Sequence, residues 1–100
     1  MKNEKNVKTK VIGPEGWQEP MVLENEGLTA FLGQRVLLMG LKFFYEGILV
    51  SVNGTLAKLQ DAGIVYETGR WDAKVYKDLQ KVHADLYVNM EAVESFCLSK

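Results

Sequence analysis

Cysteine and histidine are almost missing from this 100-residue chain: Cys97 and His83 are the only ones. That excludes an internal disulfide and any zinc site built from clustered Cys and His of one chain, and it suits a reducing compartment. Proline occurs only at positions 14 and 20, so nothing beyond residue 20 carries the usual block to strand pairing. An excess of one charge is also lacking. Twelve Lys and Arg stand against thirteen Asp and Glu, a formal net charge of −1, so no global positive field draws in nucleic acid and any such site must be local. No apolar run reaches membrane-spanning length, and Met1 is followed by Lys2, Asn3, Glu4 and Lys5 without an apolar core behind them. The expectation is a cytosolic protein that does not contact a membrane.

What is present is an ordinary globular composition, 47% hydrophobic and 25% charged, over a length that suits one domain. Residues 1–24 hold a charged stretch, then Gly13-Pro14, Gly16-Trp17 and Pro20, and read as an N-terminal arm. Trp17 in that arm packs either on its own domain or on a neighbouring subunit. Residues 25–100 form the domain. From Asn25 to Leu32, Asn25 can cap and Leu28, Phe31 and Leu32 share one helical face, which predicts a short helix stopped by Gly33.

The central stretch is Phe43 to Asp61. An aromatic and β-branched run, Phe43 to Val52, meets Asn53-Gly54 and returns as a second run from Thr55. Asn-Gly between such runs predicts a hairpin, because both residues accept the positive φ of a type I′ turn. Gly47, inside the first run, permits the sharp bend with which one long strand serves both faces of a small closed barrel. Arg35 to Leu41, nearly all apolar, predicts a strand covered on both sides. The strand from Thr55 resumes through Ile64-Val65-Tyr66 after a break at Ala62-Gly63. Gly69 to Lys81 reads as a loop or a helical turn. Val82 to Val88 alternates, with Val82, Ala84, Leu86 and Val88 on one face, and predicts a fourth strand; Ala92 to Leu98 predicts a fifth.

One short helix followed by five strands describes an all-β, strongly bent barrel of the SH3-like kind. Its fourth and fifth strands are edges with few charges and no proline. Tyr87, Val88 and Phe96 there predict pairing with further copies of the chain.

These residues resemble the Sm and Sm-like family, which builds RNA-binding rings. Leu32-Gly33-Gln34-Arg35-Val36 resembles the family's junction into its first strand. Tyr45-Glu46-Gly47-Ile48-Leu49 resembles its first motif, an aromatic, any residue, glycine, any residue, leucine. Leu59-Gln60-Asp61-Ala62 resembles the end of its third strand, and Val88 to Val93 sits where its second motif lies. The similarity spans Leu28 to Leu98, and Asp61 to Gly69 also resembles Sm-like proteins of phage and marine environmental sequences.

The resemblance implies a homo-oligomeric ring that binds single-stranded RNA at the hairpin loop and at the loop after Val88. In the family a stacking residue, an Asp and an Asn hold each base, and an Arg-Gly pair assists. Here Asn53 stands at the aspartate, Gly54-Thr55 at the stacking residue and Asn89-Met90 at Arg-Gly, while the asparagine has no counterpart. The RNA-binding residues expected are therefore Asn53, Gly54, Thr55 and Asn89. A second reading keeps the oligomer but gives it protein partners, held by the arm around Trp17 and the loop around Trp71.

No cofactor, metal or catalytic residue is expected. His83 lies on the polar face of its strand with no second residue to complete a site, and Cys97 reads as a small buried residue. Asp72, Asp78, Asp85, Glu91 and Glu94 show no spacing that singles out an acid–base pair. Lys74, Lys77 and Lys81 with Arg70, Trp71 and Tyr76 form the one basic segment interleaved with aromatics. It would suit a phosphate backbone, but Asp72 and Asp78 offset it.

Overall fold

A computed structural model describes residues 26–100. The arm, with Trp17, and the Asn25 cap lie outside the described residues. A one-turn 3-10 segment, Leu28–Phe31, leads into β1 (Arg35–Gly40), β2 (Phe44–Val52), β3 (Leu56–Glu67), β4 (Asp78–Lys81) and β5 (Leu86–Asn89). A second 3-10 turn, Met90–Ala92, precedes β6 (Val93–Leu98). All pairings are antiparallel, in the order β4-β3-β2-β1-β6, and β5 lies against the other half of β3. No ladder joins β4 or β5 to β6 among the described residues, so the sheet is open. No described helix is long and apolar enough to cross a membrane.

The apolar run of β1 is buried on both sides as its composition requires: Val36, Leu37 and Leu38 are all inaccessible to solvent. Val36 and Leu38 join Leu28, Leu49, Ala57, Leu59, Ala62 and Val88 in the main core. Leu37 points to the opposite face, beside Glu46 in the β1–β2 register. Burying one such leucine contributes about 1.5–3 kcal/mol.

The bend sits where β2 meets β3. Glu46 pairs with Gly63 and Ile48 with Gln60, so one residue of β2, Gly47, faces two of β3, Asp61 and Ala62. This is a bulge on β3, and Asp61 takes it with φ 50°. Gly47 is required by proximity. A Cβ there would lie 3.0 Å from the Gln60 carbonyl oxygen and 3.1 Å from both Cα and Cβ of Ala62.

The structure corrects several expectations. The helix over Asn25 to Leu32 is only a 3-10 turn, since Gly27 (φ 105°) and Gly33 (φ 87°) turn the backbone left-handed on either side of it. Leu28 and Phe31 still reach the core, but Leu32 is exposed. Among the described residues there are six strands, not five. The single strand expected over Val82 to Val88 is broken at His83, whose φ is 64°. Its partner bends, so β4 follows the half of β3 beyond the bulge and β5 the half before it, with Val82 N–H donating to the Ala62 carbonyl at the corner. Residues 78–81, assigned to a loop or helical turn, form β4. β3 runs unbroken through Ala62-Gly63.

The hairpin forms, but not with a type I′ turn, because neither Asn53 nor Gly54 has a positive φ. The Asn53 side chain builds the turn instead. Its Oδ1 accepts from Thr55 N–H (2.7 Å), Leu56 N–H (2.8 Å) and the Thr55 hydroxyl (3.0 Å).

Two substitutions test this account by urea unfolding. Gly47→Val is expected to destabilise by about 1–3 kcal/mol, the usual cost of forcing carbon into a filled site. Gly54→Ala meets nothing within 4 Å. It is expected to be neutral or to stabilise by up to about 1 kcal/mol, whereas a type I′ turn would be weakened by it.

Candidate functional site

The hairpin loop and the connection after β5 come together. Leu56 pairs with Asn89 at the end of the β3–β5 ladder, and Met90 N–H donates to the Thr55 carbonyl at 2.8 Å. Asn53, Gly54, Thr55 and Asn89 therefore share one end of the sheet, all exposed. Both asparagines use their Oδ1 locally: Asn53 closes its own turn, and Asn89 accepts from Glu91 N–H at 2.9 Å to cap the second 3-10 turn. The Asn53 oxygen is saturated by its three bonds, so that side chain offers a ligand its NH₂ group, a donor, while Asn89 offers its NH₂ group and one further lone pair.

Two residues that the sequence did not single out for this site adjoin it. Lys58 and Tyr87 are directly opposed in the β3–β5 register. The Lys58 ammonium lies 5.5 Å from the centre of the Tyr87 ring and 3.6 Å from Asp85 Oδ2. The Tyr87 ring is 59% exposed and helps to line a hollow of about 130 Å³ with Ser51, Val52, Asn53, Leu56 and Lys58. A planar face, a cation and an amide donor thus meet in one place. Seeing this in the sequence needed the β3–β5 register, which the unforeseen break at His83 concealed.

The residues expected at a subunit interface lie on outer strands. Tyr87 and Val88 are on β5 and Phe96 is on β6. Val88 is only 4% exposed and gives its side chain to the core. Phe96 packs edge-on against Phe31, ring centres 6.2 Å apart, and keeps part of its ring exposed.

A second polar cluster occupies the other face of the sheet. Glu46, 3% exposed, is the one buried charged residue among those described. Arg35 donates to both of its oxygens, Nε to Oε2 at 2.8 Å and Nη2 to Oε1 at 3.1 Å. The same guanidinium reaches Asp61 Oδ2 at 2.9 Å and the Asp61 carbonyl at 2.8 Å, and Lys81 Nζ donates to that carbonyl at 3.0 Å. Arg35 consequently holds its proton even more firmly than a free arginine, first through Glu46. Asp61 is held below the usual carboxylate range by Arg35 and then Lys81. The carboxylates here are matched by cations, and the contacts tie neighbouring strands together.

The basic and aromatic segment is largely paired off: Lys81 with Asp61, Arg70 with Asp72 at 3.0 Å, and Lys77 with Glu67 at 3.7 Å. His83 is exposed at the β4–β5 corner and Cys97 is half-buried. No group of three His, Cys, Asp or Glu among the described residues is placed to hold a metal.

The lowered pKa of Asp61 fixes a sign. Its ionised form is favoured in the folded state, so its contribution to stability is present above the ordinary carboxylate pKa of about 4 and is lost as pH falls through the lower folded value. Asp61→Asn keeps the left-handed backbone comfortable and retains the carbonyl acceptor. The variant is expected to be less stable than the parent at pH 7, with a gap in urea midpoint that narrows below about pH 4. A gap independent of pH would separate the carboxylate from the bend. In comparisons with known proteins, no family model, no curated protein and no solved structure matches the chain.

Proposed function

We propose that this chain is a non-catalytic, Sm-like protein that assembles into a homo-oligomeric ring and binds single-stranded RNA at the end of the sheet where the hairpin loop meets the β5–β6 connection. The observation that carries the reading is the meeting of Asn53, Lys58 and Tyr87 around one hollow, with Asn89 beside it through the Thr55–Met90 contact. Single-strand recognition needs a flat surface for stacking and a cation for phosphate. The loop alone contains neither, but the neighbouring strands contribute Tyr87 and Lys58. The free NH₂ groups of Asn53 and Asn89 select acceptors, so base carbonyl oxygens are the groups they would read.

The finer fold belongs to the same reading. The bent sheet is an Sm-like barrel whose gap is completed in the ring by β5 of one copy pairing with β6 of the next. Both are outer strands without proline, and Phe96 keeps exposed aromatic surface.

A different surface supports the second reading, an oligomeric scaffold for protein partners. Phe43 lies 6.2 Å from Tyr66 and 6.4 Å from Tyr45, ring centre to ring centre, beside the highly exposed Leu41. An exposed aromatic and aliphatic patch of this kind suits protein contact.

The deciding measurement is fluorescence anisotropy of labelled oligo-U, oligo-A and matching DNA at low and moderate salt. Binding that prefers RNA and survives moderate salt is expected. Tyr87→Ala should weaken it by about 5- to 150-fold, the equivalent of one lost stacking contact at about 1–3 kcal/mol. Lys58→Met should flatten the log–log salt slope by about 0.7. No RNA binding by the parent would move the assignment to the scaffold. Light scattering reports the assembly: Phe96→Lys should lower the oligomer mass at equal concentration, and an unchanged mass would remove β6 from the interface.

A further inference from the structure

The segment between β3 and β4, residues 68–77, carries no ladder among the described residues, yet three of its carbonyls converge on one point. The Lys100 ammonium sits there. Nζ donates to the carbonyls of Arg70 at 2.7 Å, Thr68 at 2.8 Å and Val75 at 3.2 Å. An ammonium has three N–H bonds, and each finds one acceptor. Two aromatic faces complete the enclosure, with Nζ 4.8 Å from the centre of the Tyr76 ring and 5.6 Å from that of Trp71.

The loop holds this shape by its own bonds. Ala73 N–H donates to the Arg70 carbonyl at 3.1 Å and Lys77 N–H to the Thr68 carbonyl at 3.4 Å. The walls are open to solvent: Trp71 is 58% exposed, and residues 69–75 are exposed throughout. The stretch that delivers Lys100 is fixed separately by Ser99 N–H, which donates to the Arg35 carbonyl at 3.0 Å, and it also meets the site's own Tyr76 through a 2.9 Å bond between the Tyr76 and Ser99 hydroxyls.

We infer that the loop of residues 68–76 is a binding site for a lysine side chain, filled in this structure by Lys100 of the same chain and able to take a lysine of another molecule when Lys100 is withdrawn. The donor set defines the ligand class. Three carbonyl oxygens demand three N–H bonds, so a primary ammonium fits and a trimethylated one does not, although both would satisfy the aromatic faces. Arginine fits poorly too, because its planar fork cannot point three donors at a pyramid of acceptors. The occupant in cis acts as a competitor at an effective concentration of about millimolar.

The test uses the full chain with Trp17→Phe, which leaves Trp71 as the only tryptophan, with and without Lys100→Met. Each protein is titrated at constant ionic strength with N-acetyl-lysine N-methylamide and with its Nζ-trimethyl form, following Trp71 fluorescence. The Lys100→Met protein is expected to respond saturably, with half-saturation at about 0.1 mM or below, roughly a tenth of the effective concentration at which Lys100 competes. The protein that keeps Lys100, and the trimethyl ligand with either protein, should be weaker by about tenfold or more. No saturable response in Lys100→Met, or equal responses to the two ligands, overturns the site. A second readout needs no substitution at the site. In the parent at neutral pH, one lysine ammonium should show slowed hydrogen exchange by nitrogen-15 NMR and be assigned to Lys100, and rapid exchange of that ammonium would also overturn the inference.

Discussion

The fold depends on how the chain buries one carboxylate. Glu46 sits inside the sheet at 3% exposure, and such a charge is tolerated only when paired and hydrogen-bonded. Arg35 meets that requirement with a two-pronged contact, and its remaining donors take hold of Asp61 on the third strand. Asp61 is available because it is the bulged residue, turned left-handed so that its carbonyl and carboxylate both face Arg35 and Lys81. One guanidinium therefore spans β1, β2 and β3 at the bend, and Lys81 adds β4. Gly47 lets the backbones approach closely enough for this to happen.

The bend decides where the rest of the chain can go. A twelve-residue strand with a bulge in its middle offers two short straight edges instead of one long edge. β4 and β5 each take one of them, and the corner between them needs the positive φ of His83. One end of the sheet then gathers the hairpin loop and the β5–β6 connection, and the segment between β3 and β4 receives Lys100. The two polar regions differ in chemistry: the first presents amide donors beside a cation and a phenol ring, the second carbonyl acceptors beside two aromatic faces.

What could be read from the sequence follows from which signals are local. Hydrophobic alternation and the Asn53-Gly54 punctuation are local, so the all-β class, β1, β2, the hairpin and the last strand were legible; Gly47 marked the right place, but the irregularity there is a bulge of the facing β3 that Gly47 accommodates. The turn type was not legible, because Asn53 had two ways to make a turn and the competing side-chain bonds prevailed over positive φ. The extra strand was hidden for a similar reason. Asp78 to Lys81 has no alternation of its own and becomes a strand only because β3 offers it an edge. Pairings distant in sequence, such as Lys58 with Tyr87 or Arg35 with Asp61, leave no periodic trace. For that reason the candidate site was legible at its asparagines but not at its ring and its cation.

The way the two sides of the sheet are tied has a consequence for the proposed ring. A single closed ladder between them would consume the outer backbone groups of β6, and no further chain could pair there. Here the stretch beyond β6 is fastened to the segment before β4 by bonds that each involve a side chain: the Ser99 and Tyr76 hydroxyls, the Lys100 N–H on the Tyr76 hydroxyl, and the Lys100 ammonium on three carbonyls. Side-chain fastening fixes the curvature of the sheet while leaving the outer edges of β5 and β6 without a ladder among the described residues. Curvature matters because successive copies close into a ring only if each adds the same turn. The Glu46–Arg35–Asp61 contacts hold the bulge from within, and the Lys100 contact restrains it from outside, so a bent sheet whose outer β5 and β6 edges carry no ladder among the described residues is what this arrangement of charges produces.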